Sequence, residues 1–257
     1  MIALVLVILS AAPLGPPADL PPCPSDRDTP DLAKLLTRME FVQAGASSEA
    51  VMTMSIRTPA WSRTLKMKVT TKGRDYSLVK VVSGGPRETG MMMLKREKQL
   101  WNWLPQAGRV MKLPAGMLGD SWLGSDFTND DLVRGSSLAT DFDAKLGAPA
   151  EIDGRKAWHL VLTPKKDAVV VWSRIEVDLD RATCVPLLER FFDDEGKQMR
   201  KMAFSDVKQL GWRAFASKMT VTPADPGRET VIQWDTITFD VDIPDEVFSV
   251  HHLQQGR

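Results

Sequence analysis

Residues 94–134 read LKREKQLWNWLPQAGRVMKLPAGMLGDSWLGSDFTNDDLVR. Leu100 and Trp101 lead into Trp103 across polar Asn102. Pro105-Gln106-Ala107-Gly108 is turn chemistry, since proline presets the first turn dihedral and glycine accepts a positive one. Val110-Met111-Lys112-Leu113 then returns, so the pair reads as a β-hairpin. Gly116, Gly119 and Gly124 bracket Met117, Leu118, Trp122 and Leu123, an apolar loop with neither helical nor strand period. Thr128 can cap the short helix that follows, and Asp130 and Asp131 suit the positive end of its dipole. A sheet edge therefore hands the chain to a greasy loop and a helix. Such a loop must lie over something apolar, either the sheet's own core or a cavity.

Outward from this stretch, the same period of two recurs. Met52, Met54 and Ile56 alternate with Thr53, Ser55 and Arg57; Leu65, Met67 and Val69 alternate with Lys66, Lys68 and Thr70. Residues 74–82 and 88–94 continue it, split by Ser83-Gly84-Gly85-Pro86. Past an ambiguous segment at 138–147 and a turn at 151–154, residues 158–163, 175–179, 186–192, 198–207, 212–221 and 229–241 read as strands. Alternation puts one face on a core and one in water, which favours an antiparallel meander. About eleven strands in one sheet should curl into a full or partial barrel. Residues 29–44 read as a helix, with Leu32, Leu35, Leu36 and Met39 at helical spacing and Gly45 ending it. Only the sheet can bury that stripe. The expected fold is mainly β with a few helices: a single curled antiparallel sheet closing fully or partly into a barrel, covered by an N-terminal helix and a loop–helix lid.

The chain has 257 residues, enough for one large domain. Lysine plus arginine and aspartate plus glutamate are 33 each, so no basic excess argues for nucleic acid. Thirteen methionines and eight tryptophans against one tyrosine suit a plastic apolar surface as well as an ordinary core. The run from Ile2 to Leu9, then Ser10-Ala11-Ala12 and a proline-rich stretch to Pro30, reads as the apolar region of a secretory signal. No basic residue precedes it, so either the start lies upstream or the signal is atypical. The expected division is a leader over 1–30 and a binding domain over 31–257, with the chain exported. Cys23 follows two prolines, a poor context for lipid anchoring, and a Cys23–Cys184 disulfide is open to it in an oxidising compartment.

Chemistry-bearing motifs are few. Gly119-Asp120-Ser121-Trp122 matches an esterase-like Gly-Asp-Ser block, yet no Asp-x-x-His partner follows, and a loop serine explains Ser121 better. Asp126, Asp130 and Asp131 lack the glycine and glutamate of a calcium loop, so capping explains them. His159 alternates with core residues and should face solvent. No cofactor motif, metal set or catalytic residue is assigned, and the chain reads as a non-enzyme. The expected site is an apolar cavity lined by Met52, Met54, Leu65, Met67, Met91, Met93, Trp101 and Trp103, under a lid of Met117, Leu118, Trp122, Leu123 and Phe127.

Three blocks carry a family resemblance: residues 121–132 (SWLGSDFTNDDL), Cys184-Val185-Pro186-Leu187 running on to 191–197 and 202–207, and Trp101-Asn102-Trp103-Leu104-Pro105 with Val110-Met111-Lys112-Leu113. In these the chain resembles the outer membrane lipoprotein-sorting proteins of the LolA/LolB-like superfamily, from about Asp31 onward. The resemblance implies an open β-barrel closed on one side by helices, and an apolar cavity that shields acyl chains in transit. It implies no catalysis. A monomer carrying lipoprotein acyl chains or another lipid is expected, between an inner-membrane transporter and an outer-membrane acceptor. A sensor or regulatory binding module on the same fold is the alternative.

Overall fold

The computed structural model describes residues 15–24, 29–134 and 137–255. The leader's apolar run at 2–9 and the small residues at 10–12 lie outside them. Helix α1 is Leu32–Ala44, and four strands follow: β1 (Ser47–Arg57), β2 (Ser62–Lys72), β3 (Tyr76–Ser83) and β4 (Met92–Arg96). The quoted stretch supplies β5 (Gln99–Leu104) and β6 (Arg109–Lys112), then α2 (Asn129–Arg134). After α3 (Leu138–Asp141) come β7 (Phe142–Leu146), β8 (Ala150–Ile152), β9 (Arg155–Pro164) and β10 (Arg174–Asp180). The remainder is β11 (Pro186–Phe192), β12 (Gln198–Leu210), β13 (Arg213–Pro223), β14 (Glu229–Phe239), a 3-10 turn at Asp245–Phe248 and α4 (Val250–Gln254).

The fourteen strands of the described residues form one antiparallel sheet, in the order β6-β5-β4-β3-β2-β1-β14-β13-β12-β11-β10-β9-β7, with β8 also on β9. The count exceeds the expected eleven. The ambiguous segment at 138–147 is both things in turn, one helical turn and then an edge strand, and the turn at 151–154 is flanked by a short strand on β9. β1 and β14, from opposite ends of the chain, pair in the middle of the sheet. β6 and β7 remain as edges, so the barrel is open.

α1 begins three residues later than periodicity suggests, because Asp31 caps it by accepting the Lys34 N–H. Its stripe of Leu35, Leu36, Met39 and Val42 is buried against the sheet. The C-terminal end is fixed by Arg213, whose guanidinium donates to the Phe41 carbonyl, pairs with Asp240 at 2.9 Å and stacks among Phe41, Trp212 and Phe239. A cation there also complements the negative end of the helix dipole. Cys23 and Cys184 form a disulfide, Cα–Cα 5.8 Å, and Arg38 donates to the Pro21 carbonyl. The segment around Cys23 is thus fastened to the folded body.

Candidate functional site: an apolar cavity and its lid

The inner face of the sheet carries two apolar clusters. One, under α1, includes Leu36, Leu160, Val177, Phe191 and Met202; the other includes Met52, Met54, Leu65, Met67 and Met93. The lid fills the second. Trp122 inserts into it with 4 % of its surface exposed, and its indole N–H donates to the Met93 sulfur at 2.8 Å. Leu123 and Phe127 pack on the same cluster, with Met91 partly buried at its border. Leu118 turns aside to Leu100, Leu113 and Val133, while Met117 stays exposed.

Two of the expected lining residues lie elsewhere. Trp101 sits opposite Leu94 and Trp103 opposite Met92, so both tryptophans share the outer face with these residues. There they pack in a third cluster with Leu78, Ile243, Phe248 and Leu253, beneath the C-terminal segment. Met91 and Met93 do not meet them. Met52, Met54, Leu65, Met67 and Met93 are buried and packed together under Trp122, Leu123 and Phe127.

Open space lies beside them. A cavity of about 410 Å³ runs between α1, α2 and the strands β11 and β12, walled by Met39, Phe127, Leu138, Trp172, Phe191 and Met202. Phe127 touches both inner clusters and stands between this cavity and the methionine cluster. The loop joining β9 to β10 brings Val169, Val170, Val171 and Trp172 to the cavity. Val169 and Val171 are 78 % and 62 % exposed, while Val170 and Trp172 pack inward. Sequence reasoning missed this loop. The signal was there: the run Ala168-Val169-Val170-Val171-Trp172 is apolar without alternation, so it fits no one-sided strand.

Three arginines pin the lid, and all were missed because their partners are distant in sequence. Arg200, on β12, holds Asp131 through two bonds of 2.7 and 3.0 Å and lies against the rings of Trp172 and Phe191. Arg228 binds Asp126 at 2.9 Å, and Thr230 donates to the same carboxylate at 2.8 Å. Arg63 joins Glu88 to the Leu123 carbonyl. Leu123 and Gly124 both have positive φ, 51° and 75°, so the loop turns back under Arg63. Asp131 also completes a reciprocal cap, accepting from the Thr128 N–H while Thr128 accepts from its own. Asp126 does no capping; its carboxylate ties the loop to Arg228 and Thr230. Burial raises the Asp131 carboxyl, but the Arg200 guanidinium and the Thr128 donors outweigh that and hold it below the usual carboxylate range.

Glu189 lines the same cavity, with no hydrogen bond or ion pair among the described residues. Burial pushes its carboxyl up to about 7; Arg200 moderates the rise and Glu40 adds to it. His159 is half-buried rather than solvent-facing: it bonds Asp178 at 2.8 Å, and Arg190 ties the same Asp178 to Glu176. Ser121 donates to the Ser125 carbonyl at 2.7 Å, a turn-forming role. Among the described residues there is no cluster of ligands for a metal ion. No helix of the described residues is long and apolar enough to cross a membrane.

A family model described as "Uncharacterized protein" matches residues 73–255. No curated protein matches the sequence. Solved structures do. A DUF1329 family protein from Desulfovibrio piger is 24% identical, covering 86% of this chain and 97% of that one, with a TM-score of 0.74. A putative outer membrane lipoprotein-sorting protein domain from Vibrio parahaemolyticus is 20% identical, with coverages of 86% and 97% and a TM-score of 0.72. A LolA superfamily protein from Nitrosomonas europaea is 18% identical, with coverages of 85% and 97% and a TM-score of 0.67.

Proposed function

Because the chain belongs to the family whose model is described as "Uncharacterized protein" and has the fold of the LolA superfamily, we propose that it is a lipid carrier of the periplasm. Its task is to shield acyl chains, of a lipoprotein or of another lipid, on the way to the outer membrane. It works by binding and catalyses nothing. One observation carries this reading: an apolar cavity of about 410 Å³ lies beneath a lid held by ion pairs, with exposed valines at its mouth. Its volume falls in the range of small-molecule sites, roughly 300–1,000 Å³. Apolar residues left exposed at a rim mark a place where an apolar partner enters.

The lid chemistry supports a two-state cycle. With the lid closed, Trp122 and Phe127 fill the methionine cluster. When the lid withdraws, Met52, Met54, Leu65, Met67 and Met93 join the open cavity as one apolar trough. Methionine suits this duty, because its flexible thioether repacks against irregular chains. The Cys23–Cys184 bond supports an oxidising compartment. It also argues against a lipid anchor, since one sulfur cannot carry both a disulfide and a thioether. Any leader cleavage then falls before Cys23, which the mature protein must keep. An inner-membrane transporter as donor, an outer-membrane protein as acceptor and a monomeric carrier complete the proposal.

The test is extraction of lipid from protein purified without detergent, with native mass spectrometry of the intact complex. Acyl-bearing adducts that disappear on organic extraction support the carrier. Protein that stays free of adducts and takes up no fatty chain on incubation removes it.

A further inference from the structure

Lys95 sits on β4 with 8 % of its surface exposed, on the inner face and under the lid. A lysine is seldom buried without a partner, because its ammonium must shed water. Here its amine makes no hydrogen bond or ion pair among the described residues. Of the carboxylates that line clefts with Lys95, Asp75 and Glu97 make no hydrogen bond or ion pair to it among the described residues, and Glu40 and Asp131 are engaged elsewhere. Glu40 accepts from Arg74 at 2.6 Å, from Ser137 at 3.1 Å and from the Leu138 N–H at 2.6 Å; Asp131 is held by Arg200. Burial lowers the Lys95 pKa; the Asp75 charge opposes that and Arg74 adds to it. An ammonium in this position has no carboxylate bonded to it among the described residues.

The space for an anion is present. Lys95 lines a second cavity, of about 570 Å³, together with Thr71, Arg74, Ser77 and Phe41. Ser77 lies directly opposite Lys95 in the β3–β4 register. This cavity and the apolar one share Glu40, Arg74, Asp131 and Leu132, so they adjoin across the cleft between α1 and α2. A charged end and an oily end thus lie side by side, which is the shape of an amphiphile.

Resting on the carrier reading above, we propose that the Lys95 amine binds the oxyanion headgroup of the carried lipid, a phosphate or a carboxylate, while the chain lies in the adjoining apolar cavity. The cargo is then an anionic amphiphile. Lys95 contributes selectivity, and the apolar walls contribute affinity common to all long chains.

The experiment measures displacement of the neutral dye N-phenyl-naphthylamine by dodecyl phosphate, dodecanoate, dodecanol and dodecyltrimethylammonium at neutral pH. At least one anion should compete about 10-fold or more better than dodecanol, the scale of a charge-assisted hydrogen bond. Preference for dodecyl phosphate identifies a phosphate headgroup, preference for dodecanoate a carboxylate, and equal preference a general oxyanion site. Lys95→Met should abolish that advantage, leave dodecanol competition unchanged and not lower the thermal midpoint, since it removes an unpaired buried charge. Dodecanol or the ammonium competing as well as both anions would overturn the assignment. So would an anion advantage that survives in Lys95→Met. Failure of all four to displace the dye, or of the dye to bind, would overturn the carrier reading and this inference with it.

Discussion

Asp131→Asn should spring the lid without unfolding the barrel. In the native protein Asp131 faces Arg200 through two charge-assisted bonds, and the Arg200 side chain is only 7 % exposed. Replacing the carboxylate by an amide leaves a guanidinium in apolar surroundings, against Trp172 and Phe191, with no bonded counter-charge; the carboxyl that still acts on it, Glu189, is itself pushed up to about 7. Breaking a buried ion pair from one side costs about 3–5 kcal/mol. The protein need not bear that cost globally, because the lid can lift and let water reach Arg200. At 1.4 kcal/mol per tenfold, the lid's opening equilibrium should rise by roughly two to three and a half orders of magnitude. Hydrogen exchange read by mass spectrometry on peptides from residues 113–134 should show this loss of protection. Peptides from β12, β13 and β14 should keep theirs. Dye uptake should become faster in parallel. The double variant Asp131→Asn with Arg200→Met should recover part of the protection, since it leaves no orphaned charge. Acid should act as the substitution does. A carboxyl held below its ordinary range stabilises the closed state above the unfolded pKa of about 3.9, and that contribution is lost as pH falls through the lower native value. Unchanged exchange in the lid, or a loss spread evenly over the sheet, would refute the latch.

Three further outcomes follow from the same structure. Removing the disulfide by Cys184→Ser opens a link spanning 161 residues, for which chain entropy sets a ceiling of about 5 kcal/mol; the urea midpoint should fall by a large part of this, and reductant should shift the wild type but not the variant. Glu189 keeps its proton in the native state over a range where the unfolded chain has lost it. Stability should therefore fall by roughly 3 kcal/mol as pH rises from 4.5 to about 7, and urea titrations of Glu189→Gln should lack that slope. Val169→Asp with Val171→Asp places charges on an exposed rim, so acyl uptake should drop several-fold while the thermal midpoint stays within about 2 °C.

Much of the sheet was legible, because strands such as β1 and β2 alternate strictly and bury one face each. The placement of Trp101 and Trp103 was not. Residues 91–94 read Met-Met-Met-Leu, and β4 is buried on both faces, one under the lid and one under the C-terminal segment. Where both faces are apolar, alternation has nothing to report, and the parity of a strand depends on contacts more than a hundred residues away. The lid was legible as a loop that must cover something. What it covers with was not, since Asp126 pairs with Arg228 and Asp131 with Arg200, and no local rule links those positions. The valine loop between β9 and β10 was overlooked for another reason: its apolar run is too short for a helix and too exposed for a core strand, and only the cavity beside it explains its composition.

The most direct measurement is photocrosslinking with a diazirine-bearing fatty acid, mapped by peptide mass spectrometry on the oxidised protein. Crosslinks should fall on Phe127, Trp172, Phe191 and Met202, and extend to Met67 and Met93 when Asp131→Asn frees the lid. Crosslinks confined to Trp101 and Trp103 on the outer face, or none above background, would contradict it.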